Sequence, residues 1–298
     1  MKKIRKFIVD KPLLSSVILV LLIQSVFHFD VWFLRVNLFE TLFNISEDMA
    51  LTIKRIITSA FCILFMTKCL DGNLKDIGYK FKDAKRGFKI CLIGVVYVLI
   101  FHVSGLLTSF INNEGHWPGT PEEIKIAVET FITCLVVGFF EETAYRIVTI
   151  NVLRNKEIKE ERKKMFYCLI CSSVLFGLIH LPNILGGYET PLGGIATIIS
   201  AAGFGMFLGA MYWISGSIVP SMIFHFVWDL LSCKGDFYII NTVSTITQTS
   251  GNEMSVVKFN VVVAAIGILA ALFVLRKKSY QGCKISQKAL ADKDAENQ

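Results

Sequence analysis

The chain has 298 residues, 53% of them hydrophobic and 18% charged, with a mean hydropathy of +0.56. Soluble domains run at about 45–50% apolar and about 25% charged residues, so the composition argues against an ordinary soluble enzyme. A net charge of +7 points to nucleic acid only when it forms one solvent-facing patch, and here the 31 Lys and Arg residues fall in alternate loops instead.

In chain order, apolar runs cover 13–29, 55–70, 88–110, 129–153, 165–185, 192–214, 218–231 and 256–275. Most approach the roughly 20 residues that a helix needs to cross a bilayer. They predict an all-α polytopic membrane protein with about eight transmembrane helices. The runs at 55–70 and 218–231 are short, so they are expected to begin earlier or to be shielded by neighbours. Lys2 to Lys6 precede the first run, yet no small-residue cleavage site follows Phe29, so that run reads as an anchor and not a signal peptide.

Loops rich in Lys and Arg stay in the cytoplasm. The start carries Lys2, Lys3, Arg5, Lys6 and Lys11; the loop after the second run carries Lys75, Lys80, Lys82, Lys85 and Arg86. The loop after the fourth carries Arg154, Lys156, Lys159, Arg162, Lys163 and Lys164, and the tail adds Arg276, Lys277 and Lys278. Loops 112–123, 182–191 and 236–253 hold neither Lys nor Arg, so both termini are expected in the cytoplasm. Residues 279–298 turn polar and read as a solvated tail.

Cys62, Cys69, Cys91, Cys134, Cys168, Cys171, Cys233 and Cys283 lie mostly in apolar runs or beside basic loops, which implies no disulfide framework. Cys168 and Cys171 have redox spacing but sit within an apolar run and read as packing residues. In the sixth run Ala201, Gly205 and Gly209 recur every four residues, a small-residue stripe read as structural.

Ionisable residues inside the spans carry the chemistry. The fourth run holds Glu141 and Glu142, with Arg146 four residues after Glu142 on the same helix face. The fifth ends at His180, and the seventh holds His225 and Asp229, again four apart. Each has a plain reading: an intrahelical ion pair, a helix-end histidine at the interface, a hydrogen-bonded pair joining helices. Together, Glu141, Glu142, Arg146 and Asp229 would cost roughly 10 kcal/mol inside the bilayer before pairing. Carboxylates and imidazoles are also the parts that activate water for hydrolysis. Chain direction sets Glu142 and His180 about 10 Å apart in depth, which helix tilt or a later start of the fifth span would absorb.

Glu-Glu-x-x-x-Arg, Phe-x-x-x-His and His-x-x-x-Asp on three spans resemble the CAAX protease and bacteriocin-processing family, also called Abi, intramembrane endopeptidases related to the type II CAAX prenyl proteases. The resemblance covers about 123–232. It implies that Glu141 and Glu142 are the carboxylate pair, that Arg146 holds one of them, that His180 orients the water, and that His225 assists water or oxyanion. Asp229 stands where the prenyl proteases often have Asn. Ionised Asp accepts hydrogen bonds only, so Asp229 either stays protonated, orients His225, or marks a metal-dependent variant. Glu142, His180 and His225 are the candidate ligands for Zn2+, with a metal-free scheme as the alternative.

The expected organisation is N-terminal transmembrane helices over 1–122, a catalytic core over 123–232, an outer loop and last helix over 233–278, and a cytoplasmic tail over 279–298. The expected activity is hydrolysis of a peptide bond in a prenylated-protein-like or peptide-precursor substrate, in a cell membrane of bacterial type. Its partners are the lipid bilayer and a protein or peptide substrate, with no nucleic acid. The rival is a non-catalytic membrane binding or bacteriocin self-immunity protein that keeps the polar cluster as helix glue. A proton-coupled transporter is suggested only by the intramembrane carboxylates, without an inverted repeat.

Overall fold

The computed structural model describes residues 2–29, 37–69, 73–81, 84–98, 111, 115–233, 239–240 and 250–276. The expected second half of the third span, residues 112–114 of the loop at 112–123, most of the loop at 236–253, Lys82 and the tail lie outside these residues. The described chain is built from helices α1 (Lys2–Asp10), α2 (Pro12–Phe27), α3 (Leu38–Phe43), α4 (Glu47–Cys69), α5 (Ala84–Val98), α6 (Pro121–Glu142), α7 (Val148–Leu153), α8 (Glu161–Leu178), α9 (Leu181–Leu185), α10 (Pro191–Ser215), α11 (Val219–Ser232) and α12 (Ser250–Val274). A π-helical turn, Thr143–Ile147, joins α6 to α7. The strands, β1 (Gly115–His116) and β2 (Ile239–Ile240), pair antiparallel, Gly115 opposite Ile240.

Among the described residues four helices are long and apolar enough to cross a membrane, within Glu47–Lys68, Glu161–Leu185, Pro191–Ser215 and Glu253–Val274. A fifth arises if α1 and α2 form one broken span, bent by 116°. Pro12 sits in the first turn of α2, where its missing N–H costs nothing but where no helix can run straight through. The bend leaves α1 as a separate short helix whose Ile4 and Phe7 are exposed, as in a helix lying along a bilayer surface.

The second span begins at Glu47, ahead of Arg55, as its short apolar run requires. The helix of the fifth apolar run begins at Glu161, so a later start does not absorb the depth difference between Glu142 and His180. The helix of the seventh apolar run remains short, at Val219–Ser232.

Helix α10 is the central post. A Cβ on its Gly203 would lie 2.5 Å from Ala264 Cα, and one on Gly267 would lie 2.6 Å from Gly203 O, so α10 and α12 cross backbone against backbone. Gly177 of α8 meets α10 as closely, 2.5 Å from Ile198 O. The expected stripe is used differently: Gly209 faces Leu169, and Gly205 faces the Arg146 guanidinium. Of the cysteines, Cys62, Cys91, Cys134, Cys168, Cys171 and Cys233 are free thiols, so the Cys168 and Cys171 pair is unbridged.

Candidate active site

Helix α6 delivers the two glutamates from a firmly set start. The Thr120 hydroxyl accepts from the Glu123 N–H at 3.2 Å, while Glu123 Oε2 accepts from the N–H groups of Thr120 at 2.9 Å and Gly119 at 3.0 Å. This is a reciprocal capping box, and Pro121 at the first position adds a preset φ. The two backbone donors, with His116 at 3.2 Å, hold the Glu123 carboxyl at about 2.

At the far end of α6 the helix widens. The Thr143 hydroxyl donates to Phe139 O and receives the Tyr79 hydroxyl, both at 2.7 Å. Two further hydroxyls, from Thr149 and Ser172, donate to the Tyr145 carbonyl. Side-chain hydroxyls thus tie the carbonyls of Phe139 and Tyr145, on either side of the widened turn, to neighbouring elements. Such single π-turns occur often at functional sites, and this one follows Glu142 directly and contains Arg146.

Helix α11 brings His225 to the pair. Its Nδ1–H donates to Glu142 Oε1 at 3.0 Å, and Nε2 lies 3.6 Å from both Glu141 Oε2 and Asp229 Oδ2. Arg146 Nε lies 3.6 Å from Glu142 Oε1. The approach of α11 to α6 is permitted by Gly138, where a Cβ would stand 2.9 Å from Phe226 N.

The adjacent glutamates have opposite surroundings. The Glu142 and Arg146 side chains are 0% exposed and His225 5%, whereas Glu141 is 18% and Asp229 25% exposed. Arg146 is seated by packing: its guanidinium lies 3.6 Å from the Phe176 ring centre, and a Cβ on Gly205 would come within 2.9 Å of Nη2. Phe176 and Phe204 present their ring systems edge-on to His225, at 6.1 Å and 5.3 Å between centres. On the open side, Arg55 of α4 interacts electrostatically with Glu141 and Asp229 and stands 5.8 Å from the Phe27 ring centre.

Arg55 Nη1, Glu142 Oε2, Asp229 Oδ2 and all three Arg146 nitrogens are buried without a hydrogen-bond partner. Buried polar atoms are nearly always satisfied, and a concentration of exceptions calls for an explanation such as chemistry.

Five of the six expected residues, Glu141, Glu142, Arg146, His225 and Asp229, are therefore brought together. His180 is placed at the break between α8 and α9, where its Nδ1 lies 3.3 Å from Phe176 O. It meets the cluster through Phe176, which touches both imidazoles edge-on. The candidate Zn2+ set of Glu142, His180 and His225 is not gathered: among the described residues no group of three or more His, Cys, Asp or Glu side chains is disposed to hold a metal ion. Both His225 nitrogens face carboxylates instead, so the residues as placed do not fit the ion.

Arg55 and Gly205 are the site residues that motif spacing misses. Gly205 was visible only as packing, and Arg55 only as an ionisable residue at the edge of a short apolar run.

Residues 123–231 match the family model described as type II CAAX prenyl endopeptidase Rce1-like. The match spans somewhat over a third of the chain and contains Glu141, Glu142, Arg146, His180, His225 and Asp229, but not Arg55. No curated protein matches the chain.

Proposed function

From the Rce1-like domain at 123–231, a protease-family domain in a chain of membrane-spanning helices, we propose that the protein is an intramembrane endopeptidase using Glu141 as its general base. The observation that carries the reading is the division of labour between neighbouring carboxylates. Glu142 is buried and engaged by His225 and Arg146, whereas Glu141 is accessible and faces the other nitrogen of the same imidazole.

In this reading Glu141 takes a proton from water as its oxygen attacks the peptide carbonyl. His225, held through Nδ1 by Glu142, presents Nε2 to the reacting groups and relays the proton taken up by Glu141 to the leaving amine. Arg146 fixes Glu142, and Arg55 balances the charge of Glu141 and Asp229. A base positioned within reach of the water contributes typically 10²–10⁴-fold to such a step. His180, one phenylalanine ring away, orients substrate or water in this reading.

The substrate class is a prenylated-protein-like or peptide-precursor chain entering from the bilayer. Eight spans with both termini cytoplasmic, and a plasma-membrane location, complete the reading. The test compares peptide termini in membranes and medium from cells carrying the wild type, Glu141→Gln or no protein, with the two proteins matched for abundance. Termini that appear only with the wild type establish proteolysis and identify the substrate. A phenotype shared by wild type and Glu141→Gln, with no new termini, supports the self-immunity reading instead.

A further inference from the structure

A second candidate site lies away from the carboxylates, where α5, α10 and α12 come together. On α5, Arg86, Lys89, Ile90 and Ile93 fall at i, i+3, i+4 and i+7, one face of the helix. The helix is fixed by its glycines: a Cβ on Gly87 would lie 2.4 Å from Pro220 Cγ, and one on Gly94 would lie 2.3 Å from Phe224 Cε2. With those glycines against α11, the stripe borders a cavity of about 240 Å³ whose far wall is Phe273 and Val274 at the end of α12. Arg276 closes it, its guanidinium 4.1 Å from the Phe273 ring centre.

Among the described residues, Arg86, Lys89 and Arg276 are the basic members of a lining that is otherwise apolar. The start of α5, the end of α10 and the end of α12 meet there, and the basic segments before α5 and after α12 assign this end to the cytoplasmic side. Pockets for whole small molecules run to about 300–1,000 Å³, so this one suits a single charged group with a chain leaving along the helices.

We propose that this cavity binds the phosphate headgroup of an anionic phospholipid from the cytoplasmic leaflet, Arg86, Lys89 and Arg276 holding the phosphate while Ile90, Ile93 and Phe273 carry the first methylenes of an acyl chain. Basic pockets between transmembrane helices on that side are suited to such headgroups. The site is independent of the proteolytic reading.

The test uses the full chain purified in a neutral detergent, titrated with phosphatidylglycerol, phosphatidylcholine or inorganic phosphate and read by native mass spectrometry and by thermal unfolding. Phosphatidylglycerol is expected to remain bound and to raise the midpoint, with phosphatidylcholine and inorganic phosphate doing neither. Each of Lys89→Gln and Arg276→Gln should weaken the lipid's apparent affinity roughly fivefold. An Arg86→Lys, Arg276→Lys variant, which keeps the charge, should bind as the wild type does. Equal retention of phosphatidylglycerol by the wild type and the exposed single variant Lys89→Gln overturns the proposal. So does equal retention of phosphatidylcholine, or full competition by inorganic phosphate, which would assign the cavity to a free anion.

Discussion

Glu141 and Glu142 are neighbours in sequence and differ in almost every physical respect. Glu142 lies in a dry half of the site with Arg146, Phe176 and Gly205, where each group is held by packing. Glu141 belongs to an accessible half with Asp229 and Arg55, where charges face one another across a partly open space. His225 spans the boundary, one ring nitrogen in each half. The contrast teaches that two identical carboxyl groups acquire opposite surroundings from the helices that meet them; in the proposed function the dry half sets geometry and the open half does chemistry.

The contrast is broken most severely by Glu142→Ala, which leaves Arg146 and His225 buried beside a missing partner. Removing one member of a buried ion pair costs about 3–5 kcal/mol, so purified Glu142→Ala should unfold at a markedly lower temperature than the wild type. A wild-type midpoint would show that the dry half is not structural.

Gly205→Ala sharpens the same point without touching a charge. The added Cβ would crowd Arg146 Nη2 at 2.9 Å and Phe176 Cδ1 at 3.0 Å. Overpacking of this kind typically costs about 1–3 kcal/mol, to be measured by thermal unfolding, and an unchanged midpoint would mean that the guanidinium has room to move. On the open side, Arg55→Gln should lower kcat about tenfold, about 1.4 kcal/mol, with little change in KM. Asp229→Asn in the same chain should recover part of that loss, since it removes a negative charge that Arg55 balances. If Asp229→Asn deepens the loss, Arg55 does not act through Asp229.

The smallest effect belongs to Glu123, at the exposed start of α6. Its carboxyl is held at about 2 in the folded protein, below the ordinary value of about 4.3, so its contribution is present above about pH 4.3 and fades as pH falls toward 2. The difference in unfolding midpoint between wild type and Glu123→Gln should therefore be constant from pH 7 to 5 and shrink below 4. A difference independent of pH would assign the cap to shape and not to charge.

Much of the site was legible because its pairs are local. Glu142 with Arg146 and His225 with Asp229 sit four residues apart, and the cost of charge in a bilayer marks them for attention. Arg55 was not legible in this way, because it meets Glu141 only through the packing of α4 on α6 and the π-turn, across more than eighty residues of chain. Nor was the π-turn, since a periodicity of 3.6 residues contains no sign of where a helix will widen. Hydropathy located the long apolar helices well, but it placed the start of α6 at residue 129 where the Thr120 cap sets it at Pro121. The small-residue stripe was visible, while the use of Gly205 to seat a cation depends on which helix faces it.

The most direct measurement is a paired one on purified Glu141→Gln: thermal unfolding, and the rate of cleavage of the peptide identified from wild-type termini. A wild-type midpoint with the rate reduced at least a hundredfold is the expected result, placing the reaction in the open half. Cleavage at the wild-type rate by the same folded variant would contradict the assignment of Glu141 as the base.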